Sequence, residues 1–232
     1  MEVMFYCLLA LALVTALLFV IFSNGQKNFL SLSLKAVASF CFTLLAMGAL
    51  LTTGASLPVW LFVLGFVASC FGDVILALPD MPEMQNRATI ITLIGGLCFA
   101  VAHIFYISAM IVAFGFAWWT ILIAIALGII FCYGNKFVGK LNYGKLSVGM
   151  PIYSIFVSLV VAISIMAFIG GTSLPGAIML LVGFVLFWLS DIVLMNIYFG
   201  NKPEKKTKLY YFNLAFYYIG QILIACSLWF LF

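Results

Sequence analysis

The sequence predicts an all-α fold: a polytopic membrane helical bundle of about eight transmembrane helices, forming a single integral membrane domain over residues 1–232. Three observations predict it. Of the 232 residues, 67% are hydrophobic and only 7% charged, and the mean hydropathy is +1.33, which suits a chain dissolved in lipid. The apolar runs are long and unbroken rather than alternating. With no water in the hydrocarbon to satisfy the backbone, runs of about 20 apolar residues select helices over a barrel. The third observation is punctuation: SNGQKN, TTGASLP, LPDMPEMQNR, FGFAWW, YGNKFVGKLNYGKLS, GGTSLP and FGNKPEKKTK divide the chain into eight apolar segments.

Taken in order, the segments are 3–22, 33–52, 58–78, 88–112, 117–133, 148–168, 176–198 and 208–231. The first lacks the basic leader and small-residue cleavage site of a signal peptide and is expected to be a retained span. The fourth and fifth part near Gly115, where Trp118 and Trp119 suit an interfacial aromatic belt. Lys27 and Lys35 belong to the first connection and Arg87 to the third. Lys136, Lys140 and Lys145 belong to the fifth, and Lys202, Lys205, Lys206 and Lys208 to the seventh. All ten basic residues thus fall on one side of an even number of helices, which predicts cytoplasmic odd connections and both termini outside. The net charge of +4 then reports topology and contact with anionic headgroups, not nucleic-acid binding. Six cysteines lie in apolar runs without CxxC or Cys/His spacing and read as buried free thiols.

Residues 63–76, VLGFVASCFGDVIL, align without gaps on 181–194, LVGFVLFWLSDIVL, and Ser-Leu-Pro precedes both. Thirty residues beyond each aspartate stands a polar side chain, His103 after Asp73 and Gln221 after Asp191. The echo suggests a parallel four-plus-four internal repeat, with the aspartates at similar depth across a pseudo-two-fold axis.

Gly65, Ser69, Gly72, Asp73 and Leu76 share one helical face, as do Gly183, Phe187, Ser190, Asp191 and Leu194. A carboxylate turned toward lipid costs about 2.5–3.5 kcal/mol on insertion scales, so these faces should look inward. The fourth segment offers Gly95, Phe99, Ala102, His103 and Tyr106; the eighth offers Asn213, Tyr217, Gly220 and Gln221, with Tyr218 beside them. Tyr106, Tyr217 and Asn213 taken singly suit interhelical hydrogen bonding, at about 0.6 kcal/mol each. The aspartates with His103 point to function, because burying two carboxyls is expensive. An Asp/Asp/His metal site is the weaker alternative, since the spacing is no metal motif. Three roles are open to Lys35: pairing with an aspartate, holding a phosphate, or reaching for the interface. Phosphate-cradling glycine loops, GxSxG, HExxH and dinucleotide fingerprints are missing from the sequence, so no cofactor is expected.

GDVIL at 72–76, AHIFY at 102–106, PIYSI at 151–155, FWLSDIVL at 187–194 and YYIGQILIA at 217–225 together resemble the YhhN-like family of eight-helix membrane proteins, which includes the lysoplasmalogenases. The resemblance covers nearly the whole chain. Two departures stand out: Gly220 where alanine is expected, which reads as conservative, and no proline after Lys35. The resemblance implies hydrolysis of a lysoplasmalogen vinyl ether to a fatty aldehyde and glycerophosphocholine or glycerophosphoethanolamine. Asp73, His103, Asp191 and Gln221 fall at its polar motif positions, with Tyr106 and Tyr218 close by.

Such hydrolysis begins with protonation of the outer alkene carbon. Water captures the oxocarbenium ion and the hemiacetal collapses, so a proton donor and a carboxylate are needed. Asp73 and Asp191 are expected to share these roles, with His103 and Gln221 orienting water and the phosphate near Arg87 or Lys35. The expected partners are a lysophospholipid substrate and membrane lipids. The competing readings are a small transporter or lipid-binding protein using the aspartates for proton or cation coupling, and an assembly protein whose polar residues only join helices.

Overall fold

The computed structural model describes residues 2–23, 29–80, 82–141, 143–144, 147, 149–200 and 206–232. Among these, eight helices are long and apolar enough to cross a membrane, and no strand occurs. The first four are α1 (Glu2–Ser23), α2 (Phe29–Thr53), α3 (Leu57–Ala77) and α4 (Ala88–Phe114). Next comes α5 (Trp119–Val138), and then α6 (Gly149–Ser164), which continues through a turn at Ile165 into α7 (Met166–Ile169) to make a single span. The last two are α8 (Leu174–Phe199) and α9 (Lys206–Leu231). The all-helical class and the eight spans are as expected. The break near Gly115 falls where α4 ends, and Gly115 adopts φ +79°, a left-handed conformation that stops a helix at little cost only for glycine. Helix α2 begins four residues earlier than expected, so Lys35 lies in its second turn rather than at its end. Lys27, Lys145, Lys202 and Lys205 lie outside the described residues.

The chain forms two compact units, Met1–Ala113 with Ala225–Phe232, and Phe114–Ile224. In the first, α1 is apolar all round, as a span facing lipid must be. Its buried residues Ala12, Ala16 and Phe19 follow helical spacing, and the helix packs on α2. Helix α3 enters at Ser56 with Pro58 in its first turn, where a missing N–H costs nothing. The small residues of α3 receive the large ones of α4. A Cβ on Gly65 would strike the Tyr106 ring, and one on Gly72 would come within 2.7 Å of Phe99. In return Gly95 of α4 lies against Leu76. The end of α9 is tied to α2 by Trp229 Nε1, which donates to the Leu45 carbonyl at 3.0 Å.

In the second unit, α5 crosses α6 where Gly128 meets the backbone of Ile155, and α6 packs on α8. Helix α8 starts as α3 does, with Ser173 before it and Pro175 in its first turn. Helices α8 and α9 meet at Gly183 and Gly220. A Cβ on Gly220 would lie 2.9 Å from the Gly183 carbonyl oxygen and 3.0 Å from Phe187 N, while one on Gly183 would lie 2.9 Å from the Gly220 carbonyl oxygen. The sequence reading of Gly220 as conservatively exchangeable with alanine is corrected here, because the added methyl would meet backbone that cannot rotate away. Gly220→Ala is expected to destabilise the protein by about 1–3 kcal/mol, the usual cost of overpacking. Thermal melting in detergent should show the loss for Gly220→Ala but not for Gly134→Ala, where a Cβ would meet nothing.

Candidate functional site

The residues singled out from sequence fall into two sets, one in each unit. Asp73, His103 and Tyr106 are buried in the first; Asp191, Tyr218 and Gln221 are buried in the second.

Asp73 lies four residues before the end of α3, about 6 Å along its axis. Its side chain is 4% exposed, and two residues of α2 meet it. Lys35 Nζ stands 3.5 Å from Oδ1, and Ser39 Oγ donates to Oδ2 at 2.6 Å. Lys35 and Ser39 are four residues apart and so share one face of α2, which is why both reach one carboxylate. Of the three roles open to Lys35, the structure shows the pairing. Ser39 went unnoticed in the sequence because a serine in an apolar helix carries no pattern of its own. One turn further along α2, Thr43 returns its hydroxyl to the Ser39 carbonyl at 2.9 Å.

One turn earlier on the same face of α3, Ser69 Oγ and Tyr106 OH are 3.3 Å apart. His103 lies one residue beyond Ala102 on the same stripe of α4, and its Nδ1 is 2.7 Å from the Phe99 carbonyl oxygen. A carbonyl only accepts, so Nδ1 carries the hydrogen, and in the neutral ring Nε2 holds the lone pair. Arg87 closes a 3-10 turn, Pro82–Arg87, and is exposed.

In the second unit, Asp191 lies eight residues before the end of α8, about 12 Å along its axis. It is 6% exposed, and Tyr153 OH of α6 donates to its Oδ2 at 3.2 Å. Among the described residues this phenol is its one polar side-chain partner, and no cation pairs with it. Tyr153 stands 38 residues before Asp191, the same interval that separates Lys35 from Asp73. Tyr153 sits in PIYSI, but its role was not legible there; this interval is the signal that could have found it. Around the pair, Asn213 Nδ2 donates to the Ser190 carbonyl at 2.8 Å, and the Phe187 and Tyr217 rings meet edge-on at 5.5 Å. Trp188 Nε1 donates to Ser158 Oγ at 2.8 Å. Nearer the end of α8, Asn196 Nδ2 donates to Asn135 Oδ1 at 2.7 Å, joining α8 to α5. Gln221 is fully buried on α9, one residue past the Gly183 crossing.

Among the described residues, no three His, Cys, Asp or Glu side chains are grouped to hold a metal ion. Each unit thus holds one buried carboxyl in its own setting, Asp73 facing an ammonium and Asp191 a phenol.

A family model, that of the YhhN family, matches residues 30–228. The chain belongs to the YhhN family. The YhhN match runs from the start of α2 nearly to the end of α9 and encloses both aspartates with their partners Lys35, Ser39 and Tyr153. Helix α1 lies outside the YhhN stretch. No curated protein and no solved structure matches the chain.

Proposed function

We propose that this integral membrane protein is a lysoplasmalogenase-like ether hydrolase. It cleaves the vinyl ether bond of a lysoplasmalogen, releasing a fatty aldehyde and glycerophosphocholine or glycerophosphoethanolamine. The observation that carries the reading is the YhhN match across both buried, differently partnered aspartates. In this reading the protein lies in the cytoplasmic membrane with its basic connections inside, and the reaction needs no cofactor.

The chemistry asks for a group that delivers a proton to the outer alkene carbon and then, as a carboxylate, steadies the oxocarbenium ion and draws a proton from water. Asp191 suits both steps in turn, since its partner is a neutral donor that can follow a change of charge on the carboxyl. Asp73 already faces a cation and suits a standing negative charge. His103, with a ring lone pair on Nε2, and Gln221 are assigned to orienting water, and Tyr106 and Tyr218 to contact with substrate. Because Lys35 is engaged by Asp73, exposed Arg87 is the freer of the two cations first considered for the phosphate. The equal Lys35–Asp73 and Tyr153–Asp191 intervals support the four-plus-four duplication as part of the same reading.

The test is aldehyde release by purified protein, run in heavy water. Carbon protonation places one deuteron on the carbon next to the aldehyde, which mass spectrometry reads directly. The expected result is singly deuterated aldehyde from lysoplasmalogen and none from the matched ester lysophospholipid. Absence of aldehyde from active-folded protein across both headgroups would sink the proposal.

A further inference from the structure

The fifth connection carries a feature that the acid–base reading does not use. A cavity of about 150 Å³ opens where α5 ends and α6 begins, and Cys132, Lys136, Tyr143, Ser147 and Pro151 line it. Lys140 and Gly144 of this connection are left-handed, both at φ 52°. Cys132, Leu141 and Tyr143 of its lining belong to an apolar cluster with Phe131, Met150 and Val157, and Tyr153 packs against that cluster.

The polar groups at this cavity favour an anion. Lys136 supplies an ammonium that, among the described residues, no carboxylate pairs with. Between Glu83 and Asp191 the sequence contains no acidic residue at all, while this connection holds Lys136, Lys140 and Lys145. Tyr143 is 6% exposed, and its hydroxyl makes only a long 3.4 Å bond to the Cys132 carbonyl, leaving its hydrogen readily redirected. Burial, with the neighbouring Cys132 adding to it, pushes this phenol up to about 12, so it stays a donor at physiological pH. Ser147 adds a second hydroxyl, which donates to the Gly144 carbonyl at 2.5 Å and keeps its lone pairs and rotation at the cavity wall. The volume is enough for the five heavy atoms of a phosphate group, given that a water takes about 30 Å³.

We propose that this cavity is a binding site for the phosphate of a membrane lipid headgroup, held by Lys136 with the Tyr143 and Ser147 hydroxyls. A lipid source is favoured over free phosphate because Tyr133 in the lining, and Phe137 and Ile152 next in sequence to the lining residues Lys136 and Pro151, are exposed apolar side chains at the ends of spans, where an amphiphile's tail can lie. The site does not rest on the hydrolase reading, and its test does not involve turnover.

Full-length protein in a maltoside detergent is titrated with radiolabelled lysophosphatidylethanolamine and with a monoacylglycerol of the same chain. Lys136→Gln should weaken binding of the lysophospholipid about tenfold, the worth of one charge-assisted bond. It should leave the monoacylglycerol unchanged, and Lys136→Arg should restore affinity. Tyr143→Phe combined with Ser147→Ala, which retains the aromatic ring, should move lysophospholipid binding in the same direction and decides the matter if Lys136→Gln fails to fold. Equal affinities in wild type and these variants overturn the site. Full displacement by millimolar inorganic phosphate, with no preference for the lysophospholipid over the monoacylglycerol, overturns the lipid assignment.

Discussion

Asp191→Asn is expected to lower aldehyde release by about 10²- to 10⁴-fold, the range that a positioned general acid supplies. Asparagine has the size of aspartate and still offers an oxygen to the Tyr153 hydroxyl, so the packing of α8 on α6 should survive. The protein is expected to keep its melting temperature while losing turnover. Tyr153→Phe keeps the ring in the apolar cluster and removes only the hydroxyl, and should cost about tenfold in kcat. Measuring kcat and melting together separates this from a structural role. If both variants melt earlier and retain kcat, Asp191 and Tyr153 only join helices, and the assembly reading of these residues is right.

The second large effect concerns Lys35 and Asp73. Lys35→Met leaves the 4%-exposed Asp73 carboxylate without its cation, and Asp73→Asn leaves the ammonium without its anion. Breaking a buried pair from one side costs about 3–5 kcal/mol. The 17% exposure of the Lys35 side chain admits some solvent and places the expected loss at about 3 kcal/mol. Removing both partners in Lys35→Met/Asp73→Asn leaves no unmatched charge, so the double variant should lose less than the sum of the singles. A double-mutant cycle on thermal or denaturant unfolding in detergent measures the difference. Ser39→Ala removes one hydroxyl from the same carboxylate and should cost about 1 kcal/mol. Additive single effects would show that the 3.5 Å approach contributes nothing. The contrast between the two aspartates is thus testable twice, through stability for Asp73 and through turnover for Asp191.

Much of this was legible before any coordinates. Apolar run length gave the eight spans, because the cost of an unsatisfied backbone in lipid leaves helices as the one outcome for such runs. The faces bearing Gly65, Ser69, Gly72 and Asp73, and Gly183, Ser190 and Asp191, were readable for a similar reason. Helical periodicity fixes which residues share a stripe, and a carboxyl forces its stripe inward. The glycine at 220 shows the limit. Nothing local distinguishes it from alanine, and only the approach of the Gly183 carbonyl makes its missing methyl matter.

The sequence by itself therefore determined the class of the protein, its membrane setting, its YhhN motifs and the identity of the two buried carboxyls. Tertiary structure alone decided what each carboxyl faces. Lys35, Ser39 and Tyr153 lie 34 to 38 residues from their aspartates, on neighbouring helices. Hydrophobic periodicity reports the direction of a side chain from its own helix axis but carries no information about rotation or register between helices. Those are set by small-residue contacts of the kind seen at Gly72 with Phe99 and Gly183 with Gly220. A single turn of slip would put Ser31 or Ser39 in place of Lys35, and Gly149 or Val157 in place of Tyr153, and with the ammonium or the phenol would go the chemistry each aspartate can do.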